Sequence, residues 1–189
     1  MRLQTNAMSR NSVSVILTHG AWADGSSWAK VILPLEQRGL RVIAAPIPLT
    51  SLSNDVAALT RVIERTSGPV VLAAHAYAGA VISSVDSERV KSLVYIAALT
   101  PERGETVGDV FYRGKPHPKA PRLAPDTNGL IWLPDDSFAN AFAQNASADM
   151  IAVLTATQRP IAVRAYKSLR PRRRGKRSPR GSSLRKKTA

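Results

Sequence analysis

The chain has 189 residues, enough for one domain with a sizeable core and too few for two large ones. Its 44% hydrophobic content is that of a globular protein, and the absence of Cys excludes disulfides, thiolate metal sites and a Cys nucleophile. The formal net charge of +14 belongs to one end: 12 of the 27 Lys and Arg lie between Arg164 and Ala189, which holds no acid, leaving 15 basic against 13 acidic residues before it, a net of +2. A nearly neutral body with a cationic extension differs from a basic binding face. No apolar run reaches the roughly 20 residues that span a membrane, so no membrane partner is expected. Met1 to Ser14 lacks the apolar core of a signal peptide, and the expected location is cytoplasmic.

In chain order, Val13 to Thr18 is a β-branched run that reads as a strand ending in His19-Gly20. Ser27 to Arg38 reads as a helix with Gly39 at its C-terminal cap. Leu40 to Ala45 is a second strand, and Asn54 to Thr66 places Val56, Leu59, Val62 and Ile63 on one helical stripe. Pro69 to Ala74 is the third strand, followed by a small-residue helix, and Val90 to Ala98 is the fourth. Apolar strands separated by helices imply a doubly wound, mostly parallel α/β sheet covered on both faces, because right-handed crossovers join parallel neighbours.

After Thr100-Pro101 this rhythm stops, and residues 102–134 are rich in Pro, Gly and charge, with Leu130 to Leu133 as a short strand. Asp135-Asp136-Ser137 reads as the cap of a helix from Phe138 to about Asn145, and Ala148 to Thr157 as a second helix. Together they make a small helical lid inserted over about residues 102–159. The expected organisation is a disordered N-terminus at 1–11, a domain at 12–163, and a basic, disordered tail at 164–189.

Ligands of open parallel sheets gather at the carboxyl ends of the strands. After the first strand, Gly20 permits a tight turn that lets a backbone amide face the crevice as an oxyanion donor. After the third, Ala74-His75-Ala76-Tyr77-Ala78-Gly79 stands where a Gly-x-Ser-x-Gly elbow would sit.

With Leu17-Thr18-His19-Gly20-Ala21-Trp22-Ala23-Asp24-Gly25-Ser26-Ser27-Trp28, Pro46-Ile47-Pro48-Leu49-Thr50-Ser51-Leu52 and Gly68-Pro69-Val70-Val71-Leu72, the chain from Ser12 to Val163 resembles the α/β-hydrolase family. The resemblance is to its small esterase-like and hydroxynitrile-lyase-like members. It implies small ester or related carbonyl ligands under a helical lid, no cofactor, backbone amides of Ala21 and Tyr77 at the oxyanion site, and Gly20 and Trp22 beside it. Such proteins read Gly-His-Ser-Tyr-Gly-Gly at the elbow, and this chain has Ala at the first, third and fifth of those positions. The nucleophile's position is Ala76, whose methyl group cannot form an acyl-enzyme. The family's acid and base follow two further strands that this chain does not spell out, so the resemblance implies a sheet incomplete at its C-terminal end and impaired catalysis.

The histidines have structural readings: His19 orients the turn, His75 packs beneath the elbow, and His117, between two prolines, is solvated. Ser26 and Ser27 read as helix caps, as do Asp135 and Asp136. Trp22 and Trp28 either line a pocket mouth or fill the core. Gly104 and Gly108 match no phosphate loop, so no nucleotide cofactor is expected, and no metal set stands out. Arg170 to Arg177 with Arg185 to Lys187 suits weak, unspecific contact with nucleic-acid phosphates. Without further strands the fourth strand becomes an exposed apolar edge, which favours dimers or aggregates.

Overall fold

The structure, a computed structural model, describes residues 13–170. Its centre is a parallel sheet of β1 (Ser14–Thr18), β2 (Arg41–Ala45), β3 (Val70–His75) and β4 (Val90–Ile96), in the spatial order β2-β1-β3-β4. The registers set like on like: Ile16 lies opposite Ile43 and Leu72, and Leu72 opposite Leu93. The fold class expected from the sequence is therefore the observed one.

Side chains alternate across the pleat and divide the core in two. Val15, Leu17 and Ala73 face Trp28 together with Ile32 and Leu35 of helix α1 (Ala29–Glu36). Ile16, Leu72 and Ala74 face the other way, where helix α2 (Leu52–Glu64) contributes Leu59 and Ile63. Val56 and Val62, on the same stripe, are partly buried against that core. Trp28 thus fills the core.

Helix starts are chosen by side chains that satisfy free amides. The first helical segment opens as a 3₁₀ turn at Gly25–Trp28, and its cap is Asp24, whose Oδ1 accepts from Ser26 N at 2.8 Å, in place of Ser26 or Ser27. At the far end Gly39 adopts φ +78° and Leu40 N donates to Leu35 O at 3.3 Å, the left-handed cap expected there. Ser51 caps α2 through Asn54 N, and Arg89 donates to the Ile63 and Thr66 carbonyls at its other end.

Helix α3 (Ala78–Ser83) follows β3 after a two-residue turn and is wholly buried. Gly79 makes that possible, since a Cβ on it would lie 2.5 Å from the Leu99 carbonyl oxygen. The chain leaving β4 crosses directly over α3.

Beyond β4, α4 (Val107–Phe111) is closed by a capping box between Thr106 and Asp109. The pair β5 (Leu130–Ile131) and β6 (Ile161–Ala162) is antiparallel, and Ala162 N ties it to Leu49 O at 2.9 Å. Between them the helix expected from Phe138 to Asn145 is instead a single turn, α5 (Asp135–Ser137), that widens into a π-helical turn at Phe138–Phe142. Neither Asp135 nor Asp136 caps it: Pro134 occupies the cap position, and the Asp136 carboxylate accepts from the Ser137 hydroxyl. Helix α6 (Ala148–Ala156) is capped by Ser147.

The segment assigned to a basic tail from Arg164 begins as part of the fold. It forms α7 (Val163–Lys167), which buries Ala165 and Tyr166. Arg170 then donates to the carbonyls of Pro101 at 2.9 Å and Ser83 at 3.1 Å. Two buried side chains and a cation met by carbonyl oxygens outweigh the charge pattern that set the boundary at 163. The remainder of the tail and residues 1–11 lie outside the described residues.

Candidate functional site

The chain runs from β1 to β2 on one side and then returns past β1 to β3, so the winding reverses between β1 and β3. A reversal of this kind leaves a crevice at the carboxyl ends of the two strands. The two sequence-predicted segments, His19 to Trp22 and His75 to Tyr77, meet there.

Four non-glycine residues take left-handed backbone: Trp22 (φ 59°), Leu49 (φ 59°), Ala76 (φ 49°) and Ala97 (φ 43°). Each lies in the connection leaving a different strand of the sheet. The conformation costs a residue with a β-carbon about 1 kcal/mol, so the surrounding packing must hold it. At Ala76 it turns β3 sharply into α3, and the Ala76 carbonyl accepts from Gly79 N at 3.1 Å and Leu99 N at 2.9 Å. The strained strand-to-helix elbow is intact with a methyl group at its tip. Ala76 is only half-buried.

Gly20 stands directly across from it. A Cβ on Gly20 would be 3.1 Å from Ala76 Cβ and 3.3 Å from both His75 Nδ1 and the His75 carbonyl oxygen, so a side chain there would crowd the elbow. Ala21 and Tyr77 are buried on either side. Trp22, which the sequence left between pocket and core, is buried and fastens the lid. Its Nε1 donates to Ile131 O at 2.9 Å, its N to Arg159 O at 3.0 Å, and its ring meets Phe142 edge-on at 6.4 Å.

His19 is buried, with Nδ1 2.9 Å from the Gly20 oxygen and Nε2 without a partner among the described residues. Burial holds its pKa below the ordinary histidine value, so the ring is neutral. His75 is half-buried beside Gly20, not packed beneath the elbow, and burial lowers its pKa as well. Adjacent strand residues point apart, but β3 ends at His75 and the turn that follows leaves its ring at the rim. His117 is exposed in the lid, accepting from Lys119 N at 3.1 Å. Among the described residues no histidine is hydrogen-bonded to a carboxylate, and no three His, Asp or Glu side chains gather as metal ligands. The lid residues Asp135 and Asp136 take no part in the site.

Asp55 is the residue that reading the sequence missed. It sits in the first turn of α2, fully buried, with Oδ1 accepting from Leu49 N at 2.7 Å and Oδ2 from the Tyr77 hydroxyl at 2.6 Å. Burial pushes its carboxyl above the usual carboxylate range, an effect the hydrogen bonds from Tyr77 and Leu49 offset only in part. Burial and the neighbouring Asp55 charge also drive the Tyr77 phenol upward, so it remains a donor. A single carboxylate therefore clamps the left-handed residue after β2 to the residue after the elbow. An Asp near a helix start is ordinarily a solvated dipole partner, and nothing in the sequence spacing points to Tyr77.

The model of the Alpha/beta hydrolase family matches residues 15–180. No curated protein matches the chain. Among solved structures it is similar to a pyrethroid hydrolase from Sphingobium faniae JZ-2, with TM-score 0.70 and 20% identity over 85% of this chain and 73% of that one. Polyneuridine aldehyde esterase gives TM-score 0.70 and 16% identity over 85% and 74%. A tomato methylketone synthase I variant complexed with beta-ketoheptanoate gives 0.64 and 16% over 80% and 68%. At such identities these likenesses speak for the fold. With the match over most of its length and the elbow between β3 and α3, the chain belongs to the alpha/beta hydrolase family.

Proposed function

We propose that this protein is an esterase-like member of its family that binds small esters or related carbonyl compounds at the crevice between β1 and β3 and does not turn them over. The observation that carries the reading is Ala76 at φ +49° on the elbow: the backbone is shaped to present a nucleophile, and the side chain has none. Ala21 and Tyr77 supply the amides for a ligand's carbonyl oxygen, with Gly20 keeping the approach open and Trp22 holding the lid across it. The names of the structural neighbours, an esterase and a pyrethroid hydrolase among them, support ester-like ligands.

Turnover needs a base as well as a nucleophile, and among the described residues His19 and His75 have their basicity lowered by burial and no carboxylate to orient them. The Ala76→Ser change alone should therefore leave hydrolysis of p-nitrophenyl acetate at the level of a boiled control. Turnover by the unaltered chain that disappears when the elbow is disturbed would overturn the reading, and so would a gain of several orders of magnitude on Ala76→Ser.

A second reading, weak binding of nucleic acid through the cationic extension, rests on the run of Lys and Arg after Arg170. Because Ala165, Tyr166 and Arg170 belong to the fold, the deletion that tests it should begin after Arg170. Loss of duplex DNA affinity in that deletion supports the reading, and retained affinity removes it. The measured salt dependence should flatten by about 0.9 log units for each phosphate that the shortened chain no longer neutralises.

A further inference from the structure

A cleft of about 630 Å³ lies between α4, β5 and α7, and none of Gly20, Ala21, Trp22, Ala76 or Tyr77 lines it. Its volume is within the range of roughly 300–1,000 Å³ typical of small-molecule sites. Its apolar wall includes Leu123, Ile131 and Val163, and its polar groups include Tyr112, Tyr166 and Lys167. The polar ends of all three are free: among the described residues neither phenol hydroxyl has a hydrogen-bond partner, and Lys167 has no carboxylate within ion-pair distance. Asp109, also on the wall, already accepts from Thr106 N at 2.8 Å as part of its capping box.

The two phenol rings are held in place. The Tyr166 ring packs against Phe111 at 5.6 Å and Tyr77 at 6.3 Å, and Phe111 stacks edge-on with Tyr112 at 4.9 Å. Two phenol donors and one ammonium at the edge of an apolar cleft match a ligand with an anionic, acceptor-only head and an apolar body. A carboxylate accepts from several donors at once, and charge-assisted bonds of this kind are the strong ones. We propose that this cleft is a second binding site, separate from the elbow, for a small aromatic or branched aliphatic carboxylate, with Lys167, Tyr112 and Tyr166 on the carboxylate and Leu123, Ile131 and Val163 on the body.

The test is isothermal titration of the full chain with phenylacetate, alongside neutral phenylacetamide and cationic phenethylamine. Phenylacetate should bind, and the amide and amine should bind at least about tenfold more weakly. Lys167 and Tyr112 are exposed, so Lys167→Met and Tyr112→Phe leave the core untouched. Lys167→Met should weaken phenylacetate about tenfold and Tyr112→Phe about threefold, with little effect on the amide. No binding at millimolar phenylacetate, equal affinity for acid and amide, preference for the amine, or an unchanged affinity in Lys167→Met would each overturn the proposal.

Discussion

The Tyr77 hydroxyl donates to Asp55 Oδ2 across 2.6 Å, joining the residue after the elbow to a buried carboxylate 22 positions earlier. The other oxygen of Asp55 holds Leu49 N, so one side chain ties together the loops that leave β2 and β3. Both loops carry a left-handed residue that local sequence disfavours. The bond is thus a means of holding strain at the site.

Removing the clamp should be costly. Asp55→Ala leaves a buried phenol and a buried amide without acceptors, and the expected loss is about 3 kcal/mol in urea unfolding. Asp55→Asn should lose about 1 kcal/mol, because the amide oxygen can take Leu49 N while its NH₂ donates to the tyrosine oxygen. Equal losses for the two variants would mean that the hydrogen bonds matter less than the volume.

Acid should weaken the fold through His19. Its folded pKa lies below the unfolded value of 6.5, so the unfolded chain takes up a proton first, and stability falls as pH drops through 6.5 towards the lowered value. His75 adds in the same direction. Asp55 has the opposite sign: its raised carboxyl favours the protonated native state, so its contribution declines as pH rises from 3.8 towards the raised value. Urea midpoints measured from pH 7.5 to 5 should fall in the unaltered chain and fall less in His19→Gln. An identical slope in that variant would remove His19 as the cause.

The elbow strain is measurable by relieving it. Ala76→Gly places at φ +49° a residue that adopts the conformation freely, and it should stabilise the chain by up to about 1 kcal/mol despite the added freedom of the unfolded state. The opposite trend is expected of Gly79→Ala, whose new Cβ would fall 2.5 Å from Leu99 O, and a loss of about 2 kcal/mol or more should appear in thermal melts. A stabilised Gly79→Ala would show that α3 can move away from the chain after β4.

Self-association should run along β4. It is an edge of the described sheet, and Val94, Tyr95 and Ile96 are 41%, 43% and 44% exposed. Unpaired backbone beside exposed apolar side chains is a template for another strand. Sedimentation of the full chain should depend on concentration, and Val94→Lys should shift it towards monomer. A concentration-independent monomer would show that the edge is shielded.

The sheet was legible in the sequence because every strand carries an apolar, largely β-branched run, even the mostly exposed β4, and Gly39 marks a helix end locally. The elbow was legible too, since strand, turn and small-residue helix are consecutive. Local signals misled where two candidates competed for one task, as when Asp24 capped in place of Ser26 and Ser27, and where charge masked packing, as between Arg164 and Arg170. What sequence alone determined is the order of strands and helices, together with an alanine at the turn between β3 and α3. Only the tertiary structure decided that Gly20 faces Ala76, that Asp55 reaches Tyr77, that Trp22 fastens the lid, and that Tyr112, Tyr166 and Lys167 share a cleft. Those contacts join residues far apart in the chain, and they exist because burying both faces of one sheet brings the ends of its strands and the last helix together.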